Sequence, residues 1–377
     1  MPILINGIKT NGSATIVNGA GDTLSFVQVN GIDIVESSYS AESQQFFDRL
    51  SVQPSTGRKT LYAALIDSLV ADGVWAKLDA LYAFVSEDDA DTDTALTNLV
   101  QAAFKATMVG TPGFTKDGGF SSSLYNWPAG SYIDSNFNPT SAGGCFTLND
   151  AYTAAWVAKF GQSFDAVSTD DELEPTLLIS PDLANAIVYM TVNGADDFLD
   201  FVVAPSPYGF YAASRLGVNT VNGFVNSSLD SVFTKVSTGL ANTDIYFLQY
   251  GGDGVPQILV SVMGGNLTPT EHQSLYNAIS TFLQATVPTP NIPTIGTATG
   301  GNAQASITFT PGASVGGPAE TYVATSTPGS FVGYATSSPV VVTGLSNGTE
   351  YTFTIHATNS VNDSGESAAS NPVTPAP

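Results

Sequence analysis

The sequence predicts a mainly β protein with a few short helices. Three observations carry that expectation. Asn-Gly pairs recur near the start, short apolar runs of period two fill the middle and the end, and turn formers abound, with 36 glycines and 21 prolines in 377 residues. Asn and Gly tolerate the positive φ that tight hairpin turns require, and period two marks a strand buried on one face. Hydrophobic residues make up 43% of the chain, enough to build cores that a disordered acidic chain could not. The length allows two or three domains.

Residues 1–42 read as a hairpin segment. Asn6-Gly7, Asn11-Gly12, Asn18-Gly19 and Asn30-Gly31 punctuate alternating runs such as Leu24, Phe26, Val27 and Val29. The segment is too small to hold a core by itself. It is expected to act as an anchor, contributing strands to a neighbouring protein or to a second copy of the chain.

Residues 43–287 begin with helix. Leu61, Leu65, Ile66 and Leu69 recur at helical spacing after Ser55, and Gly73 can end that helix. Val74, Leu78, Leu81, Tyr82 and Val85 continue the helical pattern to the acidic stop Glu87-Asp88-Asp89. From about Asn98 to Gly265 the period changes to two, in runs at 186–192, 198–203, 223–225, 245–250 and 258–262. Many such strands predict an antiparallel sandwich. Thr268, Pro269 and Glu271 then have the spacing of a helix start with a capping box, and Leu275, Tyr276, Ile279, Phe282 and Leu283 form its buried stripe. Residues 288–293 are Pro-rich and predict a stiff linker. Residues 294–377 beyond it are expected to be a separate domain that points outward as the more mobile part.

The charge balance is one-sided, with 33 Asp and Glu against 10 Lys and Arg, a net −23. That excludes nucleic acid as a partner, since phosphate recognition needs basic contacts. No apolar run reaches the roughly 18 residues a spanning helix needs, so no membrane insertion is expected. Cys145 is the single cysteine, and an intrachain disulfide is impossible. The start, Met1 to Gly12, lacks the basic region and apolar stretch of a secretory signal peptide. The expectation is synthesis in a cytoplasm without a leader; a role outside the cell then needs another route out, of which assembly into a virus particle released by lysis is one.

Two resemblances sharpen this reading. From about Ile292 to Pro377 the chain resembles bacterial and phage fibronectin type III modules, over the module from end to end. Residues 305–311 match strand B, with Phe309 where many members carry Trp. Tyr322-Val323-Ala324 match strand C, 338–345 strand E, 347–355 the corner and strand F, and 371–375 the closing strand. Tyr351 takes the structural tyrosine-corner position, its ring buried and its phenol tip paired with backbone. From about Phe46 to Thr286 the chain resembles tailed-phage virion proteins with a concanavalin A-like, laminin-G-like jelly-roll sandwich. The match lies in Gly57-Arg58-Lys59, residues 75–82 and 110–120, Phe137-Asn138-Pro139, residues 146–151 and Ser274-Leu275-Tyr276-Asn277. This implies a structural or decoration protein on a virion surface, in head or tail, partnered by other virion proteins and by copies of itself.

Chemistry is sparse in the sequence. Gly312 to Gly316 fits a nucleophile elbow but lacks the strand-turn-helix setting and a His base. Gly57-Arg58-Lys59-Thr60 imitates the end of a phosphate loop, yet Val52 stands where a glycine is needed. A helix N-terminus is the better reading. Asp89, Asp91 and Asp93 alternate like the start of a calcium loop, but Thr94 and Val100 occupy its glycine and glutamate positions. Asp170, Asp171, Glu172 and Glu174 leave Ca2+ open as in some laminin-G-like folds; no other cofactor is expected. His272 and His356 have no ligand companions at metal spacing. The acidic clusters lack the alternating strand pattern of concanavalin-type glycosidases. No catalytic and no metal-ligating residues are therefore assigned, and the chain is expected not to be an enzyme. Tyr125, Trp127 and Tyr132 lie in a Gly-, Ser- and Pro-rich stretch and are the candidate glycan-binding residues, since exposed rings stack on sugar faces. A glycan-binding fibre or spike protein and a bacterial surface adhesin are the alternative readings.

Overall fold

The computed structural model describes residues 4–5, 8–17, 23–29, 32–36, 39–122, 130–159, 166–169, 176–182, 187–194, 199–202, 209–248, 256–312 and 321–377. The chain is mainly β, as its sequence predicts. Near the start, strands Leu4–Ile5, Ile8–Val17, Thr23–Val29 and Ile32–Glu36 pair antiparallel in chain order as a four-stranded sheet. Asn11-Gly12 does not turn the chain there. It lies inside Ile8–Val17, where the register slips between Thr10 and Ser13, so the pair marks a bulge rather than a hairpin.

The body of the molecule is a three-layer stack. A central antiparallel sheet runs, edge to edge, through Ser228–Thr234, Thr220–Val225, Gly209–Leu216, Asp150–Lys159, Gln257–Gly264, Gly119–Ser121 and Gly113–Thr115, with Leu78–Ala83 also paired to Gln257–Gly264. An outer sheet runs through Leu199–Val202, Ile187–Gly194, Thr176–Asp182, Val167–Thr169, Ile245–Phe247, Tyr132–Asp134 and Thr107–Val109. Ala155, Tyr211, Ile133, Val167, Ile179 and Phe247 fill the core between the two sheets. The opposite face of the central sheet is covered by helices Ala41–Asp48, Thr56–Ala71 and Pro269–Thr286, which bury Phe46, Tyr62, Leu69, Leu275 and Phe282 against Tyr152, Phe210 and Val260.

This layering corrects one expectation. Residues 78–83 are a strand, not a helix, and every one of them is buried. Leu81, Ala83 and Val85 point into the helix-side core, whereas Ala80, Tyr82 and Phe84 point into the core between the sheets. A strand apolar on both faces has no period of two, and its leucines imitate helical spacing. The two helices that the sequence marks most clearly form as expected. Ser55 caps Thr56–Ala71, Gly73 follows its end at φ 72°, and Thr268 and Glu271 make a full capping box on Pro269–Thr286.

Arg215 is 1% exposed and spans the two sheets. Its Nε donates to the Val192 carbonyl at 2.8 Å and one terminal nitrogen to the Lys235 carbonyl at 2.8 Å. Carbonyl dipoles thus replace the water that a buried guanidinium gives up, and burial lowers its pKa.

The C-terminal sandwich has two three-stranded sheets: Thr294–Gly301, Gln304–Thr310 and Val340–Thr343 against Val332–Ala335, Thr321–Thr327 and Thr352–Thr358. Ile307, Phe309, Tyr322, Val340, Phe353 and Ile355 form its core. The expected closing strand at 371–375 contributes a single bridge, Tyr351 to Val373. The edge of Thr352–Thr358 is closed instead by three serines spaced by three. Ser364, Ser367 and Ser370 donate their N–H to the carbonyls of Ala357, Ile355 and Phe353, and their hydroxyls accept from the N–H of the same three residues at 2.9–3.0 Å. The hydroxyls substitute for the carbonyls of a strand.

This sandwich is tied to the body. Asn359 Nδ2 donates to the Pro288 carbonyl at 3.0 Å and Asn362 Nδ2 to the Val287 carbonyl at 2.6 Å. Val361 packs on the helix-side core between them.

Candidate functional site

The sequence candidates scatter in the structure. Tyr125 and Trp127 lie outside the described residues, as do Asp170, Asp171, Glu172, Glu174 and residues 313–320 of the elbow-like stretch. Gly57 to Thr60 open helix Thr56–Ala71, where the Ser55 hydroxyl accepts from the Arg58 N–H. Asp89, Asp91 and Asp93 each serve a different neighbour. Asp89 accepts from the Lys116 N–H at 2.8 Å and Asp91 caps helix Thr92–Leu96 through the Thr94 N–H at 3.1 Å. Asp93 takes the Ser51 N–H at 3.0 Å and the Lys105 ammonium. Among the described residues, no three His, Cys, Asp or Glu side chains gather as a metal site, and no helix is long and apolar enough to cross a membrane.

The two histidines have structural partners. His272 is fully buried, its ring stacked on Phe224 with centroids 4.0 Å apart. Its Nε2 lies 2.7 Å from the Asn226 carbonyl, which can only accept, so Nε2 carries the proton. Nδ1 then accepts from the Tyr152 hydroxyl at 2.9 Å. Burial lowers its pKa to about 4, against a smaller upward pull from the Asn226 carbonyl. His356 Nδ1 sits 2.8 Å from the Glu366 carboxylate. Tyr351, 3% exposed, accepts the Ser346 N–H on its phenol oxygen at 3.1 Å.

Tyr132 is the candidate that the structure sets in a new context. It stands in strand Tyr132–Asp134 of the outer sheet, half-buried, with its ring edge-on to Tyr246 at a centroid distance of 5.3 Å and 80° between planes. The strand alternates. Ile133 points into the core between the sheets, which leaves Tyr132 and Asp134 on the face away from it. Ile245 and Phe247 are likewise core, so Tyr246 shares the outward face, directly opposite Asp134 in the register. Exposed Thr107 extends the row on the far side of Asp134, whereas Ser168, beyond Tyr246, is buried at 2% exposure and ends the open face there. Asp244, two residues before Tyr246, is half-buried. Burial pushes the Asp134 carboxyl up, the neighbouring Asp244 pushes the same way, and a hydrogen bond from the Asn136 N–H opposes both.

Two tyrosines at right angles beside two carboxylates offer apolar ring surface together with strong hydrogen-bond acceptors. The sequence pointed to Tyr132 but not to Tyr246, Asp134 or Asp244. The signal available was the alternation Ile245-Tyr246-Phe247, which identifies Tyr246 as the outward residue of a strand. It does not say which strand lies beside it, more than a hundred residues earlier.

No family model matches this sequence, and no curated protein matches it. Solved structures with similar backbones include domain 4 of AbnA, a GH43 extracellular arabinanase from Geobacillus stearothermophilus, in complex with arabinotriose. It is 19% identical, with a TM-score of 0.37, over 53% of this chain and 98% of that one. A structure of botulinum neurotoxin type C, whose cell entry depends on interaction with two ganglioside molecules, is 11% identical, with a TM-score of 0.46, over 77% and 74%. The binding domain of botulinum neurotoxin DC in complex with SialylT is 10% identical, with a TM-score of 0.43, over 75% and 73%.

Proposed function

We propose that this chain is a non-catalytic structural protein of a tailed-phage particle surface, as head decoration, fibre or tail-associated component, which also meets glycan on the host surface. One observation carries the glycan part: Tyr132 and Tyr246 stand half-exposed at right angles on the sheet face opposite the helices, beside two carboxylates. Aromatic rings supply apolar contact area at low entropic cost, and acceptors beside them fix orientation. The non-catalytic reading is supported by how the titratable groups are used. His272 is held neutral between Tyr152 and Asn226, and Asp91 and Asp93 cap and brace loops.

The resemblance of residues 46–286 to virion sandwiches and of about 292–377 to fibronectin type III modules supports the particle setting. The four-stranded sheet at 4–36 is the anchor to other virion proteins or to copies of the chain; its strands pair with one another and with no other described strand. Mass spectrometry of purified particles tests the setting, and absence of the chain from them defeats it. Deleting residues 1–42 is expected to abolish incorporation, while deleting 294–377 is expected to leave it intact. The opposite pattern would make the C-terminal sandwich the attachment point.

A further inference from the structure

The face built on Tyr246 also constrains the charge of what it binds. A pyranose offers a flat patch of C–H bonds on one side and hydroxyl donors around its rim. The perpendicular rings of Tyr132 and Tyr246 present a floor and a wall to such a ring. Asp134 lies opposite Tyr246 across the strand pair, with Asp244 close enough to act on its charge. Carboxylates accept strongly from hydroxyls and donate nothing while ionised. Lys105, whose carbonyl accepts from Asn136 at this sheet edge, has its own ammonium committed to Asp93. The whole chain carries a net −23. A sialylated or sulfated sugar placed here would meet two carboxylates and a repelling field, with no cation among the described residues of this face to offset them.

We infer that the outer-sheet face formed by Tyr132, Tyr246, Asp134 and Asp244 is a binding site for uncharged, hydroxyl-rich saccharides and rejects anionic ones. The inference rests on the glycan reading above and adds its site and its ligand class.

The test uses the full chain on a printed array of neutral and sialylated oligosaccharides, followed by calorimetric titration of the strongest neutral member. Neutral sugars are expected to bind. Tyr246→Ala should weaken them about tenfold or more, as loss of a central aromatic contact does. Asp244→Asn should weaken them several-fold, and Tyr246→Phe, which keeps the ring, should hold within about twofold. Melting curves of each variant confirm that the fold is kept, and Asp244→Asn, at a half-exposed position, serves if Tyr246→Ala unfolds. Three results overturn the inference. Binding to sialylated sugars alone defeats the ligand class and leaves the glycan reading standing. Neutral binding that ignores both Tyr246→Ala and Asp244→Asn places the site elsewhere. No binding to any glycan at millimolar concentration defeats the site and the glycan reading together.

Discussion

The indole N–H of Trp156, in the central sheet, donates to the backbone carbonyl of Ser360, in the C-terminal sandwich, at 3.2 Å. Trp156 is 4% exposed and stacks on Tyr276 with the ring planes 13° apart. The bond therefore closes a dry contact in which the loop at 359–362 plugs onto the helix side of the body. Trp156→Phe keeps the stack but leaves the Ser360 carbonyl without its donor. A cost of about 1–2 kcal/mol is expected, the usual size for a buried acceptor left unmade. Limited proteolysis at residues 288–293 should speed up accordingly. An unchanged cleavage rate would show that the indole bond does not hold the sandwich in place.

His272 predicts an acid limb in stability. Its folded-state pKa of about 4 lies below the ordinary value of 6.5, so the unfolded chain binds the proton more readily. The contribution is complete above about pH 6.5 and is lost as pH falls toward 4. At about 1.4 kcal/mol per pKa unit the full swing is roughly 3 kcal/mol. Partial burial pushes the Glu87, Asp93 and Glu271 carboxyls up, but hydrogen bonds and nearby cations together hold all three below their usual values, so their contributions are lost at lower pH still. The comparison with His272→Gln isolates the histidine. Urea midpoints between pH 7 and 4 should fall more steeply for the native chain than for the variant, and parallel curves would refute the assignment.

Tyr351→Phe removes the oxygen that accepts the Ser346 N–H. The C-terminal sandwich should lose roughly 1 kcal/mol, with the body unaffected. Calorimetry that finds no change in the sandwich's transition would remove Tyr351 from the corner role.

The serine edge predicts a cost that composition would not suggest. Ser367→Ala leaves the Ile355 N–H without an acceptor, because the hydroxyl supplies what a strand carbonyl would. A loss of about 1–2 kcal/mol is expected, against a few tenths for Ala368→Ser at the exposed neighbouring position. Equal effects in a denaturant titration would show that the hydroxyl ladder contributes nothing.

Several features were legible in the sequence because their causes are local. The capping box at Thr268 and Glu271 and the end of a helix at Gly73 each depend on residues within a few positions of one another. The mainly β class was legible because most strands keep one face in a core. The tertiary structure alone decided the rest. Residues 78–83 lie between two cores, so burial on both faces erased the alternation that identifies a strand. Asn11-Gly12 became a bulge because strand pairing on both sides outweighed its turn preference. Ser364, Ser367 and Ser370 carry no signal in the sequence; only the open edge of Thr352–Thr358 gives their hydroxyls partners. Tyr246 came to stand against Tyr132 only through sheet order, since the neighbour of a strand is chosen by packing across the whole sandwich and leaves no mark in the residues beside it.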